Sequence, residues 1–144
     1  MTTASQVAAP KFDQVKVGDA LKPLVLPPVS RHQLALYCGG SGDHNPIHVD
    51  LDFAKKAGFD DVFAHGMLVM AYLGQALTDA VTPGAIRSFS TRFAAITPLG
   101  TKLTCEGEVV ELFEAVGEKR VRLSLTARNE KGEIKLAGEA VIAV

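Results

Sequence analysis

Gly66-Met67-Leu68-Val69-Met70-Ala71-Tyr72-Leu73-Gly74-Gln75-Ala76-Leu77-Thr78-Asp79-Ala80-Val81 is the run that decides the fold. Hardly a position in it is charged, and a helix apolar on nearly all sides is a buried one. The run predicts one buried helix over residues 66–81, terminated by Pro83-Gly84. Beyond it the period changes from helical to two. Residues 86–93 alternate, with Phe89 and Phe93 on one face. Residues 101–115 are β-rich, Val116-Gly117-Glu118-Lys119 turns the chain, and residues 120–128 alternate cleanly. Asn129-Glu130-Lys131-Gly132 reads as a hairpin turn, and residues 134–144 as a last strand.

The chain before the helix is built of short pieces. Residues 11–19 carry a short alternating pattern that ends in the turn pair Gly18-Asp19. Leu24-Val25-Leu26 and Val29 are bounded by Pro23, Pro27 and Pro28, which fits an edge strand or extended lead-in because proline cannot donate to a ladder. Ser30 followed by Gln33 reads as a capping box opening a helix over residues 31–38, with Gly39 and Gly40 as its stop. Asp50 is a good N-cap for a second short helix, residues 51–57, with Gly58 as its stop. The order gives an α+β fold: an antiparallel sheet wrapped around one long buried helix. One helix cannot cover both sides of such a sheet, so at least a dimer is expected.

A chain of 144 residues is one domain's worth. We assign residues 11–144 to it and residues 1–10 to a flexible tail. Hydrophobic residues make up 47% and charged residues 22%, which fits a packed core and excludes disorder. Fifteen basic against sixteen acidic residues give a net charge of -1, which argues against a nucleic-acid partner. No apolar run reaches the roughly 20 residues that span a bilayer. The N-terminus lacks the features of a secretory signal, and Cys38 and Cys105 show no Cys-x-x-Cys spacing. A cytoplasmic protein with two buried thiols is expected.

The chemistry concentrates upstream of the helix. Three of the four histidines (His44, His48, His65) lie within residues 37–66, among Gly39, Gly40, Gly42, Gly58 and Gly66. Pro46 biases Asn45 toward an extended conformation, so the loop is expected not to be helical. Asp43 and His48 on such a loop can converge on one water as a general acid/base pair. Gly42 permits close backbone approach, and Asn45 can brace the loop through its amide. At the expected helix start, the Gly66 N–H is free and lies at the positive end of the helix dipole, as an oxyanion donor requires. A dyad, an oxyanion donor and an apolar helix together suggest proton chemistry α and β to a carbonyl on an apolar substrate.

The run Tyr37-Cys38-Gly39-Gly40-Ser41-Gly42-Asp43-His44-Asn45-Pro46-Ile47-His48, with Ala54 and then Ala64-His65-Gly66-Met67-Leu68, resembles the hydratase-2 motif of the MaoC-like family. The resemblance extends over residues 12–144 and implies a single hot-dog domain. It also implies reversible syn hydration of a trans-2-enoyl thioester to a (3R)-3-hydroxyacyl thioester. Asp43 and His48 would bind the water and Gly66 the thioester oxygen, with Asn45, His65, Met67 and Met70 at the substrate. No metal or redox cofactor is implied, since coenzyme A or phosphopantetheine is part of the substrate. The partner implied is a second hot-dog subunit, identical or not. Which of Asp43 and His48 is acid and which base stays open, as do acyl chain length and the choice between coenzyme A and carrier protein.

Blander readings exist for each residue. Asp43 and His48 alone fit a structural turn. A metal on His44 and His48 is disfavoured because Pro46 spoils their helical spacing. His65 fits a structural residue at the helix start, and His32 a solvated one. Met67, Met70, Leu73 and Leu77 fit core or acyl tunnel equally. Cys38 shows no partner for a nucleophile. Arg87, Arg92, Arg120, Arg122 and Arg128 fit a solvated face, or the phosphates of a substrate arm. A hot-dog thioesterase and a non-catalytic binding subunit are the alternative functions. The Asp-x-Asn-Pro-Ile-His loop opposes the first, and the intact Asp43, His48 and Gly66 oppose the second.

Overall fold

The computed structural model describes residues 12–144, so the tail expected over residues 1–10 lies outside them. Phe12–Gln14 form a 3₁₀ turn within the stretch of alternating pattern. The chain then runs along one sheet edge. Gly18 and Leu21 donate to Val109 and Gly107, and Leu26 and Val29 to Leu103 and Thr101. Only Leu24–Val25 (β1) of this stretch counts as a strand, because its prolines interrupt the ladder.

Helix α1 spans Arg31–Ser41, α2 spans Leu51–Lys56 and α3 spans Gly66–Ala80. Four strands follow: β2 (Ile86–Phe93), β3 (Thr104–Ala115), β4 (Glu118–Arg128) and β5 (Ile134–Ala143). They form one antiparallel sheet in the order β1-β3-β4-β5-β2. The alternation in β4 puts Val121, Leu123, Leu125 and Ala127 into the core against Leu68, Val69, Leu73, Ala76 and Leu77 of α3. Fully burying a Leu or Val side chain contributes about 1.5–3 kcal/mol, so this seam holds the helix to the sheet.

The helices depart from the sequence expectations. α3 is not buried all round: Met67, Ala71, Gln75, Thr78 and Asp79 are exposed on its outer side. The sheet face away from α3 carries ion pairs, Arg122 with Glu111 and Glu139, and Arg128 with Glu106. α1 runs through Gly39 and Gly40 and stops only at Gly42, whose φ is +77° and whose N–H returns to the Cys38 carbonyl. Glycine inside a helix costs only about 1 kcal/mol, whereas a helix end needs a left-handed residue, and only Gly42 adopts that conformation here. The Ser30 hydroxyl does accept from Gln33 N. The Gln33 side chain, however, donates to the Tyr72 hydroxyl on α3 instead of closing the box.

The β3–β4 hairpin closes through two residues only, since Ala115 pairs with Glu118. Val116 and Gly117 take φ +52° and +71°, the two-residue turn that favours Asn-Gly. A β-branched residue there bears roughly 1–2 kcal/mol of strain, and Val116 is 89% exposed, so its side chain contributes little packing in return. Val116→Asn should therefore raise stability by about 1 kcal/mol, read as a higher urea midpoint at unchanged slope.

Candidate active site

Where α1 stops, the site begins. Ser41 Oγ donates to the Tyr37 carbonyl at 2.6 Å and accepts the Asp43 N–H at 3.1 Å. Asp43 Oδ1 accepts the Asn45 N–H at 3.2 Å, and Asn45 Oδ1 accepts the Ile47 N–H at 3.1 Å. Two successive Asx turns thus fold the loop onto Pro46–His48, a single 3₁₀ turn opened by Pro46. The expectation of a wholly non-helical loop gives way to this one turn: proline suits the first helical position, and Asn45 ahead of it stays extended. Asp50 then caps α2 through the Phe53 N–H.

The turn drives His48 inward, to 8% exposure. Its Nδ1 lies 2.7 Å from the Phe63 carbonyl. A carbonyl only accepts, so Nδ1 carries the proton and Nε2 is the nitrogen left to exchange one. His65 lies against His48, ring centroids 3.8 Å apart and planes 27° from parallel. It is 1% exposed. Its Nε2 is 3.3 Å from the Asp43 carbonyl, which fixes the proton on Nε2, and 3.5 Å from Cys38 Sγ. Cys38 therefore does have a partner. The Tyr37 ring meets His65 edge-on at 4.7 Å.

Burial, and then the neighbouring His48, hold His65 below the ordinary histidine range; the Asp43 carbonyl and carboxylate oppose this without reversing it. His65 is a neutral platform beneath His48. Burial and the Asp43 charge raise the Tyr37 phenol, which stays protonated.

Single ligand-type atoms of Asp43, His48 and His65 lie within 4.8 Å of one another. One water with hydrogen bonds of ordinary length bridges groups at that separation. A metal ion fits less well. Imidazole lone pairs lie in the ring plane, and two stacked rings direct them side by side rather than at one point. His44 stands apart, exposed, with Nδ1 3.0 Å from the Gly42 carbonyl; His32 is exposed on α1.

Gly66 opens α3, so its N–H has no intrahelical acceptor. A Cβ at this position would sit 2.8 Å from two ring carbons of Phe93. Glycine thus admits the aromatic ring against the helix start. A cleft of about 310 Å³ opens beside it, lined by Phe63, Ala64, Gly66, Phe93, Ile96 and Thr97 among others. Met67 is 53% exposed and Met70 half-buried, and neither lines this cleft. Leu73 and Leu77 are fully enclosed core. The Phe63 carbonyl that orients His48 carried no sequence signal, because any residue supplies a carbonyl.

The MaoC like domain model matches residues 13–131. The chain is 31% identical over 135 residues to the (R)-specific enoyl-CoA hydratase of Rhodospirillum rubrum, covering 92% of this chain and 90% of that protein. It is 30% identical to the mitochondrial 3-hydroxyacyl-[acyl-carrier-protein] dehydratase of Arabidopsis thaliana, covering 88% and 75%. The unliganded R-hydratase PhaJ1 of Pseudomonas aeruginosa superposes with a TM-score of 0.80 at 30% identity, covering 92% of this chain and 84% of that one.

A neutral His65 has a consequence for stability. With the folded ring held below its unfolded value, its contribution is complete above about pH 6.5 and is lost as pH falls through the lower folded value. The urea midpoint should drop on going from about pH 7.5 to about pH 5.5. His65→Phe should show a smaller drop, together with a loss of about 1–2 kcal/mol at the higher pH from the missing bond to Asp43. Equal acid sensitivity in both proteins would show that His65 is not the group responsible.

Proposed function

The chain belongs to the MaoC-like family, and from that premise we propose that it interconverts trans-2-enoyl thioesters and (3R)-3-hydroxyacyl thioesters, as a hydro-lyase. The observation that carries this is the Asp43 carboxylate and His48 imidazole within reach of one water, with the free amide of Gly66 next to the His65 platform.

In the hydration direction the water sits between Asp43 and the Nε2 of His48. As its oxygen bonds to C3, the dyad takes one of its protons. Negative charge moves through C2 onto the thioester oxygen, which the Gly66 N–H holds. The dyad then delivers a proton to C2 on the same face and returns to its starting state. The C2=C3 double bond has gained H and OH, and the thioester is untouched. Dehydration is the reverse. A preset Nδ1–H on the Phe63 carbonyl leaves His48 one exchangeable nitrogen, so no tautomer change is required during turnover. The chemistry asks for no metal or redox cofactor.

The substrate belongs to the acyl-CoA or acyl-carrier-protein thioesters. Four of the five strand arginines hold carboxylates: Arg87 and Arg120 on Glu118, Arg122 on Glu111 and Glu139, Arg128 on Glu106. Among the described residues Arg92 has no carboxylate partner, and it is the one left for a phosphate on a substrate arm. Phe93 and Ile96, which line the cleft, are each about half exposed. Apolar groups in that state around a cleft suit cover by a second hot-dog subunit. No helix of the described residues is long and apolar enough to cross a membrane. Cys38 and Cys105 are free and buried, and burial pushes the Cys105 thiol up to about 12. Unpaired thiols suit the reducing cytoplasm.

The test is spectrophotometric. Crotonyl-CoA and longer enoyl-CoAs should lose their conjugated absorbance without releasing thiol; thiol release would indicate a thioesterase, and silence a binding subunit. Asp43→Asn and His48→Gln should each lower kcat by about 100- to 10,000-fold while leaving the fold intact. Full activity in either variant would remove the dyad from the mechanism.

A further inference from the structure

Among the described residues Lys135 is the one buried lysine, arginine, aspartate or glutamate, 4% exposed. It follows Ile134 at the start of β5, on the opposite side of the strand from Leu136. Enclosing an ammonium costs several kcal/mol unless its partners repay it, and an apolar side chain of the same volume would fill the space as well. Its contacts explain why a charge stands there.

Lys135 grips one short segment at three atoms. Its carbonyl accepts the N–H of Ala94 at 2.9 Å and of Ala95 at 3.3 Å. Its Nζ donates to the Ile96 carbonyl at 2.9 Å and to Glu133 Oε2 at 2.8 Å. The segment it holds, residues 94–97, leaves β2 directly after Phe93, and the small side chains of Ala94 and Ala95 give it little anchorage of its own. The next link is main chain: the Ala64 N–H donates to the Thr97 carbonyl at 2.9 Å, and Phe63 bridges Pro98. Phe63 supplies the carbonyl that holds His48 Nδ1. Gly66 lies two residues past Ala64. The same segment forms one wall of the cleft at Gly66.

We propose that Lys135 is a positioning residue for the hydration: by clamping residues 94–97 it fixes the 63–66 segment, and with it the carbonyl that orients His48 and the amide of Gly66. This role rests on the reaction proposed above. The ammonium touches neither water nor substrate. Its effect is transmitted through the Ile96 carbonyl and the Thr97–Ala64 hydrogen bond. Because both supported groups act on charge that develops in the transition state, loosening them affects kcat more than KM.

The test compares Lys135→Met, Lys135→Arg and Glu133→Gln with the unaltered protein on crotonyl-CoA. A misplacement of about 1 Å at a reacting group can cost about 100-fold, so loss of one clamping bond should lower kcat about tenfold in Lys135→Met, with KM changed by less than about threefold. Lys135→Arg, which can still reach the Ile96 carbonyl, should recover at least about half of the lost rate. Glu133→Gln removes the ion pair but not the bond to Ile96, and should stay within about twofold of the unaltered protein. Should Lys135→Met not fold, Lys135→Gln is judged by the same two constants. A folded variant with kcat within about twofold of the unaltered protein overturns the proposal, as does a loss confined to KM. Inactivity of the unaltered protein on every enoyl thioester would instead remove the reaction itself, and this role with it.

Discussion

The packing of α3 into the sheet is the constraint on which the site depends. Leu68, Val69, Leu73, Ala76 and Leu77 lock the helix against Val121, Leu123, Leu125 and Ala127, and its first turn is thereby fixed in space. His65 and Gly66 stand at that first turn. They are held by burial that begins in that turn, at His65, Leu68 and Val69, and continues along the helix, so the amide and the imidazole platform are rigid.

The two buried imidazoles of the site are then organised by main-chain carbonyls. Asp43 O sets the tautomer of His65, and Phe63 O sets that of His48. The two rings stack, and burial together with the adjacent His48 keeps His65 neutral. A neutral ring beneath the dyad adds no positive charge to compete for the Asp43 carboxylate. It does fill the space that water would otherwise occupy. The result is one nitrogen and one carboxylate presented outward over a buried ring that is hydrogen-bonded through Nε2, while its Nδ1 is buried without a partner.

Sequence and structure agree best where a local rule has no tertiary competitor. The β2 bounds and the α3 start at Gly66 follow from period, and the Asp50 cap from capping chemistry. They part where distant contacts decide. Gly39 and Gly40 look like a helix stop, but the chain keeps helical angles until Gly42, whose positive φ allows the exit toward Asp43. Gln33 looks like half of a capping box, but α3 offers it the Tyr72 hydroxyl. Cys38 looks unpartnered because its partner is His65, 27 residues away. A uniformly apolar α3 does not follow from its composition either, since the sheet covers only one side of it.

The sequence by itself determined the fold class, the long helix packed on the sheet, the family and the residue types of the proposed acid/base pair. Those are properties of periodicity, capping and a contiguous motif, and all are local along the chain. Only the tertiary structure decided which nitrogen of His48 is free, that His65 stacks on His48, and that Lys135 holds residues 94–97. Those depend on carbonyls and ring faces meeting across long sequence separations. A backbone carbonyl is the same at every residue, so nothing in the sequence marks the one that matters.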